Sequence, residues 1–345
     1  MASSVFTIDI SETHLKLIQF EPAGNGVYAL QSLHVVDAEP TFFKSEQQTV
    51  RDAQSARIKS LIAQSQAKST NVNIIVPDSE TYSRILEMPQ LHEKELLSAI
   101  KYQADQFIPM PLDEVNISIE VVYENKWNKK NLILIVAAPQ KMVQMTESTV
   151  EQAGVLPLRL ENEVSALNRA CKMLFTQLED REEDTEGYIL INMAHASSSF
   201  YFFDQCKHAI THTHTLPIGY SLFLKELEIN LNIVRPEARR LLETSGALSA
   251  HEPNTGHILL TLMKQYLQEL EKSMNAVKQG KSRINGIFLI NSANDFYAFD
   301  RLIAKYTGLP CEMLDVSPFF TYEAEQQITG KQLAHFIIAM GAQLP

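Results

Sequence analysis

Two stretches of the chain carry the same order of apolar and polar segments. The first opens with Val5–Ile10, Leu15–Phe20 and Val27–Val36, three strand-like runs joined by turn residues at Thr13-His14 and Ala23-Gly24-Asn25-Gly26. The second opens with Tyr188–Asn192, Ser198–Phe203 and Ala209–Leu216, which repeat that pattern. A β-meander given twice predicts an internal structural duplication.

After the first meander, Gln54–Gln66 predicts a helix. Val72–Val76, a short apolar run, predicts a central strand covered on both faces. Leu97, Ile100, Ala104, Phe107 and Ile108 recur at helical spacing, so His92–Ile108 predicts a helix with one apolar stripe, stopped by Pro109-Met110-Pro111. Val115–Tyr123 and Leu132–Ala138 predict paired strands around a polar loop. A helix over Gln140–Ala153 closed by Gly154, a strand over Val155–Leu160 and a helix over Val164–Gln177 follow. The charge run Glu179–Gly187 predicts a solvated linker. Past Gly219 the pattern turns helical, with Pro236 at the start of Glu237–Glu243 and then Leu259–Val277, closed by Gly280. Ile284–Ile290 predicts a second buried strand. Asp300–Thr307 predicts a helix capped by Gly308, and Leu333–Met340 a closing apolar helix. The alternation is that of an α/β fold.

Composition narrows the function. The chain has 345 residues, 45% of them hydrophobic, enough for two cores. A net charge of -11 gives no basic footprint for nucleic acid and disfavours direct binding to anionic lipid. Cys171, Cys206 and Cys311 form no C-x-x-C pair, which fits buried thiols in a reducing compartment. Met1-Ala2-Ser3-Ser4 leads directly into a strand pattern, and no apolar run approaches the ~18 residues of a membrane span. A cytoplasmic chain without a leader is therefore expected. His212 and His214 share one strand face, a spacing open to a metal, but no third ligand is evident.

Val72–Pro89 carries Pro77, Arg84 and Pro89 in a V-x-I-x-V-P-x-S-x-x-x-x-R-x-x-x-x-P arrangement. Glu95-Leu96, Ala99-Ile100, Ile108-Pro109-Met110-Pro111, Val136-Ala137-Ala138-Pro139 and Gln152-Ala153-Gly154 follow. In order and spacing these segments resemble the PilM family of type IV pilus assembly proteins, relatives of the cell-division protein FtsA. Thr7–Leu17 is similar to that family's D-I-G-S-S-x-V-K-L start, with Ser11 in place of glycine. Leu216-Pro217-Ile218-Gly219 and Pro236-Glu237-Ala238 resemble later family segments.

The resemblance implies an actin-like, ribonuclease H-like duplicated fold of two domains with a small inserted subdomain. On that scheme residues 1–180 plus 330–345 form the first half, with the insertion near 84–155. Residues 186–329 form the second, with a helical subdomain near 221–280. It also implies ATP or ADP with Mg²⁺ in a cleft. The implied partner is PilN, an inner-membrane protein whose short cytoplasmic tail lies on PilM, joined by other platform and motor proteins. The chain would then sit peripherally at the inner membrane through its partners.

Three turns carry the nucleotide expectation. In the first, Asp9 would help position Mg²⁺ through water, Ser11 and Thr13 offer hydroxyls, and Lys16 matches the family's lysine. The plainer alternative makes Asp9 a strand-end residue capping its own backbone. In the second, Asn192-Met193-Ala194 replaces D-I-G, and Asn192 lacks the charge that helps hold a hydrated cation. In the third, Ser292 and Ala293 replace paired glycines, which places Cβ atoms where base or ribose would approach bare backbone. Nucleotide-site residues, if that site is kept, are thus Asp9, Ser11, Thr13, Lys16, Asn192, Ala194, Ser292 and Ala293. The stripe containing Ile100, Ala104, Phe107 and Ile108 is either ordinary core packing or part of the floor that receives the PilN tail.

Three functions remain in view. The first is a pilus-assembly scaffold that binds a PilN-like tail and hydrolyses little or no ATP. The second is an active ATPase or small-molecule kinase of the same superfamily. The third is the cytoplasmic part of a type II secretion platform protein, although those chains continue into a membrane span, or an FtsA-like filament former.

Overall fold

In a computed structural model, residues 5–67, 69–91, 93–104, 108–247, 254–322 and 328–344 are described. The chain divides into two compact units, Met1–Phe175 with Val316–Pro345, and Thr176–Asp315.

The first unit begins with β1 (Val5–Ile10), β2 (His14–Gly24), β3 (Val27–Asp37), α1 (Gln48–Ser65) and β4 (Asn71–Val76). Then come β5 (Tyr82–Pro89), α2 (Glu93–Ala104), β6 (Val115–Glu124) and β7 (Lys130–Pro139). α3 (Gln140–Gln152), β8 (Leu156–Asn162) and α4 (Glu163–Leu174) complete this part. The second unit holds β9 (Glu186–Met193), β10 (Ser198–Asp204) and β11 (Ala209–Leu216). It continues with α5 (Tyr220–Leu231), α6 (Arg235–Thr244), α7 (Thr255–Gln279), β12 (Arg283–Asn291), α8 (Phe299–Thr307) and β13 (Cys311–Met313). The chain returns to the first unit as β14 (Phe320–Thr321), α9 (Gly330–Ala334) and α10 (Ile337–Gln343).

The large sheet of the first unit runs β14-β3-β2-β1-β4-β8, and that of the second runs β11-β10-β9-β12-β13. Each is an antiparallel meander whose first strand is extended in parallel through helical crossovers. The duplicated meander is therefore a duplicated sheet, and the fold is actin-like. Between β4 and α3 the chain builds a separate antiparallel sheet, ordered β5-β7-β6.

β1 and β4 are apolar because helices cover both faces of their sheet. Phe6, Ile8, Ile74 and Val76 pack with Ile58 of α1 and Val150 of α3 in one cluster. α10 covers the other face alongside α4. A Cβ at Gly341 would lie 1.9 Å from the Ala166 carbonyl oxygen, so only glycine allows α10 to approach α4 this closely. The second unit has its own core, in which Tyr266 of α7 meets Phe223 and Phe299 edge-on at 6.0 and 5.7 Å.

Three expectations change. The charge run is not wholly linker, since Glu186 and Gly187 already belong to β9. The Glu186 carboxylate accepts hydrogen bonds from Asn285 (2.9 Å), Arg283 and Arg181, which hold its pKa down to about 2. The closing apolar helix is two helices, broken at His335-Phe336, and the His335 carbonyl accepts from Lys16 Nζ at 3.0 Å. β5 was not expected from the pattern. The predicted helix His92–Ile108 corresponds to α2, while His92 and Phe107 lie outside the described residues. Among the described residues no helix is long and apolar enough to cross a membrane.

Candidate functional site

Ligands of open α/β sheets bind outside the carboxyl ends of parallel strands. In the first unit those ends carry acids. Asp9 is the penultimate residue of β1, Asp78 follows β4, and Glu163 follows β8 as the first residue of α4. Asp9 is 3% exposed and faces Lys16 across the β1–β2 pair, with Nζ 3.4 Å from its carboxylate. Glu163 accepts the Asp78 backbone N–H at 3.2 Å. Burial, followed by the charges of Asp78 and Asp9, pushes the Glu163 carboxyl well above the usual range, against the pull of that hydrogen bond. Asn162, the N-cap of α4, accepts from the Ser165 N–H and donates to Asp78 at 3.3 Å and to Ser83 at 2.7 Å.

The β1–β2 turn is closed on itself. Ser11 N–H donates to the His14 carbonyl at 2.9 Å, while Thr13 and His14 N–H donate to Ser11 Oγ at 3.4 and 3.0 Å. Glu12 is buried within this turn. One of its oxygens accepts from Ser79 at 2.8 Å, and the other has no hydrogen-bond partner among the described residues. Nearby, burial and the Glu12 charge raise Glu80 to about 7, partly offset by Lys44.

In the second unit the strand ends carry amides. Asn291 Nδ2 donates to Asn192 Oδ1 at 2.6 Å, joining the ends of β12 and β9. Asn291 has φ +54° and ψ -141°, a backbone region suited to glycine. Ala293 is buried in the hydrophobic core of this unit. In the β9–β10 turn, Ala194 N–H donates to the Ser197 carbonyl at 2.9 Å, and Ala194 and His195 carbonyls accept from Tyr220 and Ser221. Gly219 lies against this turn so closely that a Cβ would sit 2.3 Å from the His195 oxygen. His214 pairs with Glu269 at 3.1 Å, and burial, followed by the neighbouring His214, lowers the pKa of His212. Among the described residues no group of three His, Cys, Asp or Glu is arranged to hold a metal.

The first unit also has a groove. β6 and β8 are each the outer strand of their sheets. A cavity of about 210 Å³ is lined by Asn116 and Ser118 of β6, Val136 of β7, Val76 of β4, and Leu160 and Asn162 of β8. Apolar Val76, Ile117, Val136 and Leu160 and polar Asn116, Ser118 and Asn162 thus share its lining.

Residues 7–344 match the profile of a family described as type IV pilus assembly protein PilM. The chain belongs to the PilM family. Among solved structures, it is similar to a PilM–PilN type IV pilus biogenesis complex, at 17% identity and TM-score 0.82, covering 99% of this chain and 97% of that one. It is also similar to ethanolamine utilization protein EutJ from Carboxydothermus hydrogenoformans, at 11% identity and TM-score 0.52, covering 97% and 88%. These likenesses concern the fold.

On the PilM fold, Asp9, Ser11, Thr13 and Lys16 gather at one strand end of the first unit. Asn192 and Ala194 stand with Ser292 and Ala293 at the strand ends of the second. Ile100 and Ile108 are buried in two hydrophobic clusters of the inserted sheet, the ordinary core role. The Ala104 side chain is outside what is described, as is Phe107. Glu163, Asp78 and Glu12 did not emerge from the sequence. The acid in Asn162-Glu163 is adjacent to a strand end, but nothing local marks it as buried beside Asp9.

Proposed function

We propose that this chain is a docking scaffold of type IV pilus assembly, on which the groove between β6 and β8 receives the cytoplasmic tail of a PilN-like inner-membrane protein. The groove carries the proposal. Among the described residues β6 and β8 each have one unpaired edge that offers backbone groups to an extended segment, and the apolar lining residues offer side-chain contact. The similarity to a PilM–PilN complex supports the partner. Other platform and motor proteins would join the assembly, and the partner would hold the chain at the inner membrane.

Little or no ATP hydrolysis belongs to the same reading. A bound triphosphate needs backbone N–H groups aimed outward and a charge balance that favours anions. Here the N–H groups of Ser11, Thr13, His14 and Ala194 bond within their own turns, and Glu12 adds a buried carboxylate. These residues do not fit a phosphate chain. The test is fluorescence anisotropy with a labelled synthetic N-terminal tail of a PilN-like protein from the same organism. Saturable binding that is lost in Ser118→Trp supports the scaffold, and no binding to the unaltered protein refutes it.

One observation favours an ATPase instead, namely the meeting of Asp9, Asp78 and Glu163 at three strand ends. Turnover of Mg²⁺-ATP above background, abolished by Asp9→Ala, would establish that alternative.

A further inference from the structure

Beside the groove lies a second cavity, of about 380 Å³, lined by Glu120 of β6, Arg159 and Glu161 of β8, and Arg169 and Lys172 of α4. Glu161 lines both cavities. On a chain with 41 acidic and 30 basic residues, a concave site with three cations is against the general sign.

Two carboxylates, Glu120 and Glu161, only partly offset the three cations. Arg169 is fixed in place, since its Nη2 meets Glu161 at 2.5 Å and its Nε donates to the Gly341 carbonyl at 2.9 Å. Glu161 is therefore already matched. Among the described residues Arg159 and Lys172 make no hydrogen bond or ion pair, although the Arg159 charge acts on the Glu161 carboxyl, and Glu120 makes no such contact with them. Arg169 and Lys172 are three apart on α4 and so share a face, and Arg159 approaches from the exposed strand edge. Two cations without a hydrogen bond or ion pair among the described residues, and a fixed guanidinium, thus converge on one cavity that shares Glu161 of β8 with the groove.

We propose that this cavity receives an acidic side chain of the peptide docked in the groove, with Arg159 and Lys172 binding its carboxylate and Arg169 orienting them. The proposal rests on the docking reading above and adds what the tail must carry. An extended segment along β8 places alternate side chains about 7 Å apart on one face. A tail whose apolar residues fill the groove can therefore direct a carboxylate two or four residues away into the cationic cavity. The apolar groove supplies contact area, and the cations fix register and direction.

The test is anisotropy titration of the full chain with the synthetic tail, in four arms: unaltered pair, Arg159→Ala with Lys172→Ala, a tail with each Asp and Glu changed to Asn or Gln, and both together. The proposal expects about tenfold weaker binding for either change and no further loss when they are combined. It also expects binding that weakens as salt rises from about 0.05 to 0.5 M. Circular dichroism of the double variant checks that both lysine and arginine removals leave the fold intact. Binding that ignores both changes and salt overturns the acidic-residue inference and leaves the docking reading standing. Absence of binding by the unaltered pair overturns both. A rise in melting temperature with inorganic phosphate alone, abolished in the double variant, overturns the peptide assignment in favour of a free anion.

Discussion

Glu80 follows β4 and has the ionisation behaviour most open to direct test. Burial, followed by repulsion from Glu12, moves its carboxyl from 4.5 to about 7, and Lys44 offsets part of this. A raised folded-state pKa means that the folded protein binds the extra proton. The associated stability is fully present below about 4.5 and is lost as pH rises through about 7. At 1.36 kcal/mol per pH unit, the gap of about 2.5 units is worth about 3.4 kcal/mol at most. Glu80 is only partly buried, and water screening reduces this to about 1–2 kcal/mol. Glu80→Gln cannot ionise and removes the penalty. The variant should therefore gain about 1–2 kcal/mol over the unaltered protein at pH 8 relative to the same comparison at pH 5. Urea unfolding followed by tryptophan fluorescence measures this. Trp127 is the sole tryptophan and belongs to the first unit, so its signal reports that unit's transition in a chain of two units. A difference that is equal at both pH values, or larger at pH 5, refutes the raised Glu80 pKa and with it the burial and Glu12 charge that produce it.

Further substitutions probe the strand ends. Lys16→Met leaves Asp9 buried without its cation and should destabilise the first unit by about 3–5 kcal/mol, read as a lower urea midpoint. Asn291→Ala removes the bond to Asn192 and puts a less tolerant residue at positive φ, a loss of about 2–3 kcal/mol in the second unit by calorimetry. Gly219→Ala drives a Cβ into the His195–Ser197 backbone and should cost about 3 kcal/mol or abolish soluble expression. Asn192→Asp restores an acid to the second turn without freeing its N–H groups, so Mg²⁺-ATP should still not raise the melting temperature.

Much of the fold was visible in residue patterns. The two meanders, β4, the β6–β7 pair and the long helix α7 all follow from apolar periodicity, which reflects the faces each element buries. What escaped depended on distant partners. Glu186 looks like linker until Arg181, Arg283 and Asn285 surround it. The break between α9 and α10 has no proline or glycine, and its carbonyl is turned toward Lys16, more than 300 residues away in sequence. The site was legible unevenly for the same reason. Asp9 and Lys16 stand in a recognisable strand-turn-strand segment, whereas Glu163 and Asp78 gain meaning only when β4 and β8 align. The groove was invisible, because it is formed by the unpaired edges of two sheets rather than by any stripe.

Hydrogen–deuterium exchange of the full chain with and without the PilN-like tail tests the docking account most directly. An extended segment that adds to the free edges should slow exchange along Val115–Glu120 and Leu156–Asn162 and leave the turns at Ser11 and Ala194 unchanged. Protection confined to those turns, or none anywhere at saturating tail, would contradict it.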